Sequence, residues 1–160
     1  MPCSFFDIGQ RPDRLRPRAV APDALSRREA RFVRGQPVAR MATADAEGRP
    51  FVVPICFAWV DGRLYTPIDE KPKSGRPLRR LRNIEANRHV AIVFDRYDDN
   101  WRRLAWVLAR GTAVLVTDEV EKAEAVTALR RRYDQYRSMA LEQLPMIRVT
   151  PEHVTSWGAL

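Results

Sequence analysis

The chain has 160 residues, 45% of them apolar and 30% charged, and these values are typical of one globular domain with its own core. Its longest apolar run, at 51–60, is about half the length of a bilayer-spanning helix, and the first residues lack the apolar core of a signal peptide, so we expect a cytoplasmic protein with no membrane partner. A net charge of +8 predicts anionic partners, and taken alone it would suit nucleic acid, an acidic membrane surface or a phosphorylated small molecule.

The N-terminal residues differ in character from the rest. Residues 1–22 carry four prolines among arginines and show no hydrophobic periodicity, so we predict a flexible basic arm there and one folded domain at 23–160. The domain is predicted to open with a short helix that begins at Asp23 or Ser26 and ends at Gly35.

Three strands are predicted next, at 38–43, 50–60 and 63–68. A polar turn with a glycine separates the first two. The dipeptide Asp61-Gly62 suits a tight hairpin between the second and third, because both central positions of that turn need a positive φ. The three strands would form a meander.

The middle of the chain continues with a short helix at 77–87, a strand at 89–95 and a turn at 97–100. The segment 101–117 is either a strand pair or one bent strand, with Gly111 as the expected bulge.

The last helix begins at a predicted capping box, in which Asp118 is the N-cap and Glu121 the third helical residue. It is expected to run to about residue 137, and its predicted buried face consists of Val120, Ala123, Val126, Leu129 and Tyr133. A final strand at 146–157 closes the chain.

These elements give about six strands, mostly antiparallel, with two or three peripheral helices. We predict a mostly β (α+β) fold in which the strands form a closed or half-closed barrel, since closure removes exposed sheet edges. Cys3 and Cys56 make no disulfide framework, and Cys56 is expected to be a small buried apolar residue. Because the only histidines, His89 and His153, lie far apart in sequence, no metal site is predicted.

Cations are concentrated at residues 69–88, where a loop runs into the short helix. Lys71 and Lys73 precede the helix, and Arg80 and Asn83 share one of its faces. The helix N-terminus adds unpaired N–H groups and a partial positive charge. A phosphate suits such a junction, because lysine and arginine give it charge-assisted hydrogen bonds. The alternative is a solvated helix face partly neutralised by neighbouring carboxylates.

The order of these motifs resembles a known family. The segments VARMATADAEGRPFVVPICFAW, DEKPK, LRRLRNIEAN and FDRYDDNWRRLAWV look like the pyridoxamine 5′-phosphate oxidase-like split β-barrel superfamily, and most like its branch of coenzyme F420-dependent enzymes. The resemblance covers about residues 28–158. It implies a six-stranded antiparallel split β-barrel that forms an obligate homodimer, with the cofactor in a cleft between the subunits.

The resemblance also implies which residues bind the cofactor. In such proteins a cation after the third strand holds the cofactor phosphate, and the matching residues here are Lys71, Lys73 and Arg80. Arginine stands at position 80 where many relatives have lysine, and the extra residues KPKSGRP displace the loop.

Further positions follow from the same resemblance. Asn83 would support the helix start, and Thr66 would offer a hydroxyl at the end of the third strand. The ring system would lie along the backbone of the second strand, which places it against Val53, Pro54 and Ile55. Trp106 either packs in the core or dimer interface or reaches the partner's cofactor pocket.

We therefore expect an oxidoreductase in which reduced F420 passes a hydride to an electron-poor small molecule, chemistry that needs orientation and exclusion of water rather than an acid–base pair. The basic surplus is compatible with the phosphodiester and polyglutamate tail of F420. FMN is the alternative cofactor, and a non-catalytic flavin, deazaflavin or haem carrier is the alternative function. Nucleic acid binding is not expected, because no recognition motif accompanies the arginines.

Overall fold

The computed structural model describes residues 18–19, 25–68 and 78–160. Lys71 and Lys73 lie outside the described residues, as does most of the predicted arm at 1–22, so the arm and its boundary remain predictions. The described ranges contain eight strands, β1 Arg18–Ala19, β2 Ala39–Ala44, β3 Pro50–Ile55, β4 Ala58–Val60, β5 Arg63–Pro67, β6 His89–Arg96, β7 Ala105–Leu115 and β8 Met146–Gly158. They also contain the helices α1 Arg27–Gly35, α2 Arg79–Ala86 and α3 Glu119–Arg132, and short 3-10 helices at Trp101–Arg103, Asp134–Arg137 and Leu141–Gln143.

The strands form one antiparallel sheet in the order β3-β2-β6-β7-β8-β5-β4, and β1 pairs with β8 beside it. β3 and β4 lie at opposite ends of this order, yet only Cys56 and Phe57 separate them along the chain. The sheet must therefore curl until its two ends meet, which makes it a half-barrel. This confirms the predicted mostly β antiparallel fold.

The predicted count of six strands is wrong, because the expected single strand at 50–60 is broken. Its first half pairs with β2 and its second half with β5. At the break the backbone N–H of Phe57 donates to the Tyr133 hydroxyl at 3.1 Å instead of joining a strand ladder. The segment 50–60 thus supplies β3 and β4, the two end strands of the seven-strand order.

The inner face of the sheet holds the main core. Its central row runs straight across the strands from partly buried Val53 through the buried side chains of Met41, Ile92, Ala109 and Val154. Helices α1 and α2 contribute apolar side chains to this core. A second core lies between α3 and the outer side of the β4–β5 hairpin.

Several local predictions are confirmed. Helix α1 begins after the capping box of Ser26 and Glu29. Asp61 and Gly62 have φ values of 45° and 75°, as the hairpin requires. The register of β7 and β8 shifts between Arg110 and Gly111, where the bulge was expected.

Other local predictions are wrong. Trp101–Arg103 is a 3-10 helix, so β7 begins only at Ala105. On α3, Val120 is 71% exposed, because the first turn stands beside the Asp61–Gly62 turn instead of over the sheet. None of the helices in the described ranges is long and apolar enough to traverse a bilayer.

Candidate functional site

The outer face of the sheet can be mapped from its register, since directly opposed residues on neighbouring strands share a face. One row across five strands comprises Pro54, Arg40, Val93, Leu108 and Thr155. A parallel row, two residues along each strand, comprises Val52, Ala42, Ala91, Arg110 and His153.

Apolar side chains on this outer face remain partly accessible. Val52 is 58% exposed, and Pro54 beside it is also exposed. Val93, Leu108 and Trp106 are only partly buried. Accessible apolar side chains on one face of a sheet favour an interaction surface.

β3 is an end strand that pairs only with β2 among the described strands. Pro50 and Pro54 have no N–H, so they must occupy the non-hydrogen-bonded pairs, opposite Ala44 and Arg40. Val52 follows the same alternation and directs its N–H away from β2. The free edge of β3 therefore offers one N–H, at Val52, together with carbonyl oxygens.

Helix α2 starts differently from the other two helices. It opens with Arg79 and Arg80, it has no acidic residue in its first turn, and its N-cap Leu78 provides no side-chain hydrogen bond. The helices α1 and α3 both have a side-chain cap and acidic first turns. Cations at the positive end of a helix dipole are stabilised by anions.

Arg79 lies at the junction of α2 with the β2–β3 turn. Its guanidinium stands 5.2 Å from the ring centroid of Phe51 on β3, and its Nη2 is 3.8 Å from Oδ2 of Asp45. Asp45 also accepts hydrogen bonds from Nε and the backbone N–H of Arg49, at 2.8 and 2.9 Å. The hydrogen bond from the Arg49 side chain is the main cause that lowers the pKa of Asp45, so this carboxyl is held ionised between two arginines.

The predicted helix residues are placed as follows. Arg80 is partly buried at the start of α2. Asn83 is buried, and its Nδ2 donates to Oγ1 of Thr43 at 3.0 Å, which ties α2 to β2. Thr66 is buried opposite Ile147, so its hydroxyl points into the barrel instead of outward.

The predicted ring-binding residues lie on two sides of β3. Val53 and Ile55 direct their side chains into the core, and only Pro54 faces outward. Trp106 is on the outer face opposite Trp157, at the end of β7 remote from Gly111. Within one protomer the structure therefore does not bring Trp106 to the start of α2.

Sequence reasoning missed Arg79, Arg49 and Phe51. The signal for Arg79 was available, because it precedes Arg80 in the same basic run. Its contact with Phe51 was not available, since it depends on how α2 sits against β3.

A cleft of about 530 Å³ opens on the outer face next to the β2–β3 turn. Its floor is low because Ala42, Ala44 and Ala91 present only methyl groups, and we call it the alanine cleft. Its rim carries Arg110, Glu152 and both histidines of the chain, His89 and His153. In the part of the chain that the structure describes, no three histidine, cysteine or acidic side chains converge on a possible metal position.

An antiparallel half-barrel with a cationic helix start beside an end strand defines the flavin-type split barrel as the class of this fold. The chain belongs to the pyridoxamine 5′-phosphate oxidase family, whose sequence model matches residues 25–158. No curated protein matches it in sequence.

Solved structures with the same fold have low sequence identity to this chain. An FAD-binding protein from Mesorhizobium loti is 24% identical with a TM-score of 0.63, over 82% of this chain and 94% of that one. HutZ, the haem storage protein from Vibrio cholerae, is 19% identical with a TM-score of 0.62, over 81% and 90%. A conserved hypothetical protein from Mycobacterium tuberculosis is 18% identical with a TM-score of 0.67, over 88% and 89%. At these identities the similarity shows the fold alone.

Proposed function

We propose that this protein is an oxidoreductase that binds coenzyme F420, or alternatively FMN, and reduces an electron-poor small molecule. When bound, the reduced cofactor supplies the hydride. The protein's part is to hold the cofactor phosphate, to orient the ring against β3 and to exclude water from it.

The observation that carries the proposal is the start of α2. Arg79 and Arg80 stand at the positive end of the helix without an acidic residue in the first turn, and Arg49 lies near them through Asp45. A phosphate there would gain charge-assisted hydrogen bonds from these cations and favourable interaction with the helix N-terminus. Lys71 and Lys73 would join it from the preceding loop.

The free edge of β3 offers backbone groups that could bind the ring of the proposed cofactor. The Val52 N–H and the adjacent carbonyl oxygens match the alternating acceptors and donors of a flavin or deazaflavin ring. Pro54 and Val52 supply an apolar surface beside this edge. The ring would therefore lie next to backbone groups that no described strand uses.

We further propose a homodimer formed through the outer face of the sheet. Its exposed apolar side chains would be buried, and water would be excluded from the cofactor. In a two-fold dimer the same face of each subunit meets the other. We place Trp106 of one subunit near β3 of its partner in this proposed arrangement.

Cofactor titration tests the proposal. The purified protein is titrated with F420 and with FMN, and quenching of cofactor fluorescence is followed. We expect saturable binding of F420. Tight binding of FMN with none of F420 would move the assignment to the alternative, and binding of neither would refute the proposed function.

Variants of the helix start test the phosphate assignment. Arg79→Ala and Arg80→Ala should each weaken cofactor binding by about tenfold or more, because each removes a charge-assisted contact. Lys71→Ala and Lys73→Ala are expected to act in the same direction. Arg31→Ala, on the exposed side of α1, is the control for loss of one positive charge. Affinities equal to that control in all four variants would contradict the assignment.

The second candidate is a carrier without turnover, and the two histidines on the alanine cleft favour haem as its ligand. Repeated oxidation of reduced F420 by an unsaturated acceptor would exclude a carrier. A Soret band that shifts in His89→Ala and His153→Ala would instead support haem binding.

A further inference from the structure

The outer face of the sheet carries large side chains at one end and small ones at the other. At one end Trp106 on β7 is directly opposite Trp157 on β8, and both are only partly buried. At the other end lies the alanine cleft, where Ala91 on β6 is opposite Arg110 on β7. Trp106 and Arg110 are four residues apart on β7, which is about 13 Å at the usual rise of a strand.

A row of apolar side chains lies midway between the two ends. Leu108 is two residues from Trp106 and two from Arg110, and it is directly opposite Val93 on β6. Leu108 and Val93 are both partly buried. A two-fold axis that lies in the interface along this row would set the tryptophan end of each subunit over the alanine cleft of the other. An axis parallel to the strands would instead set tryptophans against tryptophans and cleft against cleft.

The size of the alanine cleft favours the first of these two arrangements. The cleft has a volume of about 530 Å³, which is within the range of sites that hold whole small-molecule ligands, so it has space for an indole ring. Two clefts that face each other would leave this volume unfilled, although specific interfaces pack as densely as protein interiors. The atoms that line an unfilled cleft would also lose their dispersion contacts.

The rim of the cleft adds a polar contact to the same arrangement. Arg110 is exposed, and none of the ion pairs between described residues includes it. With the axis along the Leu108 row, Arg110 of one subunit faces Trp106 of the other. Among aromatic side chains, tryptophan binds a guanidinium most strongly through its ring face. His153, opposite Arg110 on β8, would face Trp157 in the same way.

We infer that Trp106 and Trp157 of each subunit fill the alanine cleft of the other in the proposed homodimer. The inference rests on that homodimer and specifies which ends of the outer face meet. Pro50 of β3 lines the cleft, so the two tryptophans also come next to the other subunit's β3. A cleft filled in this way leaves no space for the haem of the second candidate function.

Two positions on β6 can report this arrangement while both tryptophans stay in place. Asp95 is directly opposite Trp106, and Ala91 is directly opposite Arg110. Their side chains therefore lie on the outer face, one at each end, with Val93 between them. In the inferred dimer Asp95 of one subunit faces Ala91 of the other. If like ends met instead, Asp95 would lie near its own copy.

Cysteine cross-linking distinguishes the two arrangements. Cys3 and Cys56 are replaced by serine, and Asp95→Cys, Ala91→Cys and the double variant are made in that background. Each is treated with a bismaleimide whose span matches sheets packed about 10 Å apart, and covalent dimers are measured on a denaturing gel. We expect covalent dimers from the double variant and only background from either single variant.

Sedimentation measures the contribution of the contact to the dimer. Trp106→Ala should raise the dimer Kd about tenfold or more, because a tryptophan buried in a fitting pocket is a typical binding hot spot. Ala91→Trp should raise it as well, because an indole of the same subunit then occupies the cleft. Val120→Ala, which removes exposed apolar surface from α3, should keep the wild-type Kd. An unchanged Tm shows that a variant still folds.

The outcomes separate this inference from the proposals on which it rests. If wild type sediments as a monomer, the proposed homodimer and the inference both fail. If wild type is a dimer, three results would overturn the inference alone: covalent dimers from Asp95→Cys by itself, none from the double variant, or a wild-type Kd in both Trp106→Ala and Ala91→Trp. The cofactor assignment is decided separately, by the titration with F420 and FMN.

Discussion

Glu121 joins α3 to the sheet through its carboxylate. It accepts a hydrogen bond from the Tyr65 hydroxyl at 2.7 Å and from Nη1 of Arg148 at 3.0 Å, and Arg63 lies 3.6 Å away. Burial, with the hydrogen bond to Glu121, raises the pKa of Tyr65 to about 12. Burial alone would raise the pKa of Glu121, but the hydrogen bonds from Tyr65 and Arg148 outweigh it and lower the pKa.

These shifts predict how stability depends on pH. Because the pKa of Glu121 is lowered on folding, its contribution is present above the ordinary value of 4.5 and is lost as the pH falls through the folded value. Glu121→Gln should reduce the free energy of unfolding at pH 7 by about 1–3 kcal/mol and flatten its decline in acid. Urea denaturation at several pH values measures both.

Glu124→Gln is the matched control, since Glu124 is exposed on the same helix. The hypothesis fails if the two variants lose equal stability.

At alkaline pH, the raised pKa of Tyr65 means that its contribution to the free energy of unfolding persists to about pH 10 and is lost as the pH rises towards 12.

The contacts of Glu121 show which residue-scale features the sequence could reveal. The Asp118–Glu121 spacing predicted a cap, and the Asp118 carboxylate does accept from the Glu121 N–H at 2.7 Å. In a capping box the Glu121 carboxylate would accept a hydrogen bond from the backbone N–H of Asp118. Here it accepts hydrogen bonds from Tyr65 and Arg148 instead. Local spacing cannot identify partners that come from distant strands.

At the scale of elements, β7 and β8 form the largest strand pair, and their bulge depends on Gly111. A Cβ at position 111 would lie 2.0 Å from the backbone oxygen of Thr150 and 2.9 Å from Cα of Pro151. Both obstacles are backbone atoms, so a side chain here requires the two strands to separate.

Gly111→Ala should therefore destabilise the protein by about 3 kcal/mol or more. Gly35→Ala provides the control, because a Cβ at the end of α1 meets nothing within 4 Å and alanine favours the helix. Thermal unfolding should show a lower Tm for the first variant and an equal or higher Tm for the second. Equal Tm values would show that the strands can separate at little cost.

The bounds of an element could be predicted where a sequence signal of a few residues sets them. They could not be predicted where tertiary contacts set them. The Ser26 cap and the Asp61-Gly62 turn are encoded within a few residues. The break at Cys56 and Phe57 carries no such signal, because the Tyr133 hydroxyl that holds it comes from the end of α3. The strand count failed for this reason.

At the scale of the whole molecule, the antiparallel barrel could be predicted from the order of the strands. The composition of its outer face could not, because a one-residue change of register would exchange the inner and outer side chains of a strand. The pairs on the two sides of the β7–β8 bulge illustrate this dependence, since Arg110 is opposite His153 but Gly111 is opposite Pro151. Which side chains would meet in a dimer is therefore known only from the folded sheet.

The outer face permits a direct test of the proposed homodimer. Val52→Asp would place a carboxylate on the β3 side of the outer face, where the most exposed apolar side chain of this face lies, and in a two-fold dimer both copies would carry it. Burying these unpaired charges should cost about 3 kcal/mol or more, which is over a hundredfold in the dimer Kd. Sedimentation should then detect monomers. Fluorescence titration of the same variant should show weakened cofactor binding. Val120→Asp changes an even more exposed valine, on α3 away from this face, and should remain dimeric. A wild-type protein that sediments as a monomer would refute the proposed homodimer. If wild type is a dimer and both variants sediment as it does, the subunits meet through another surface.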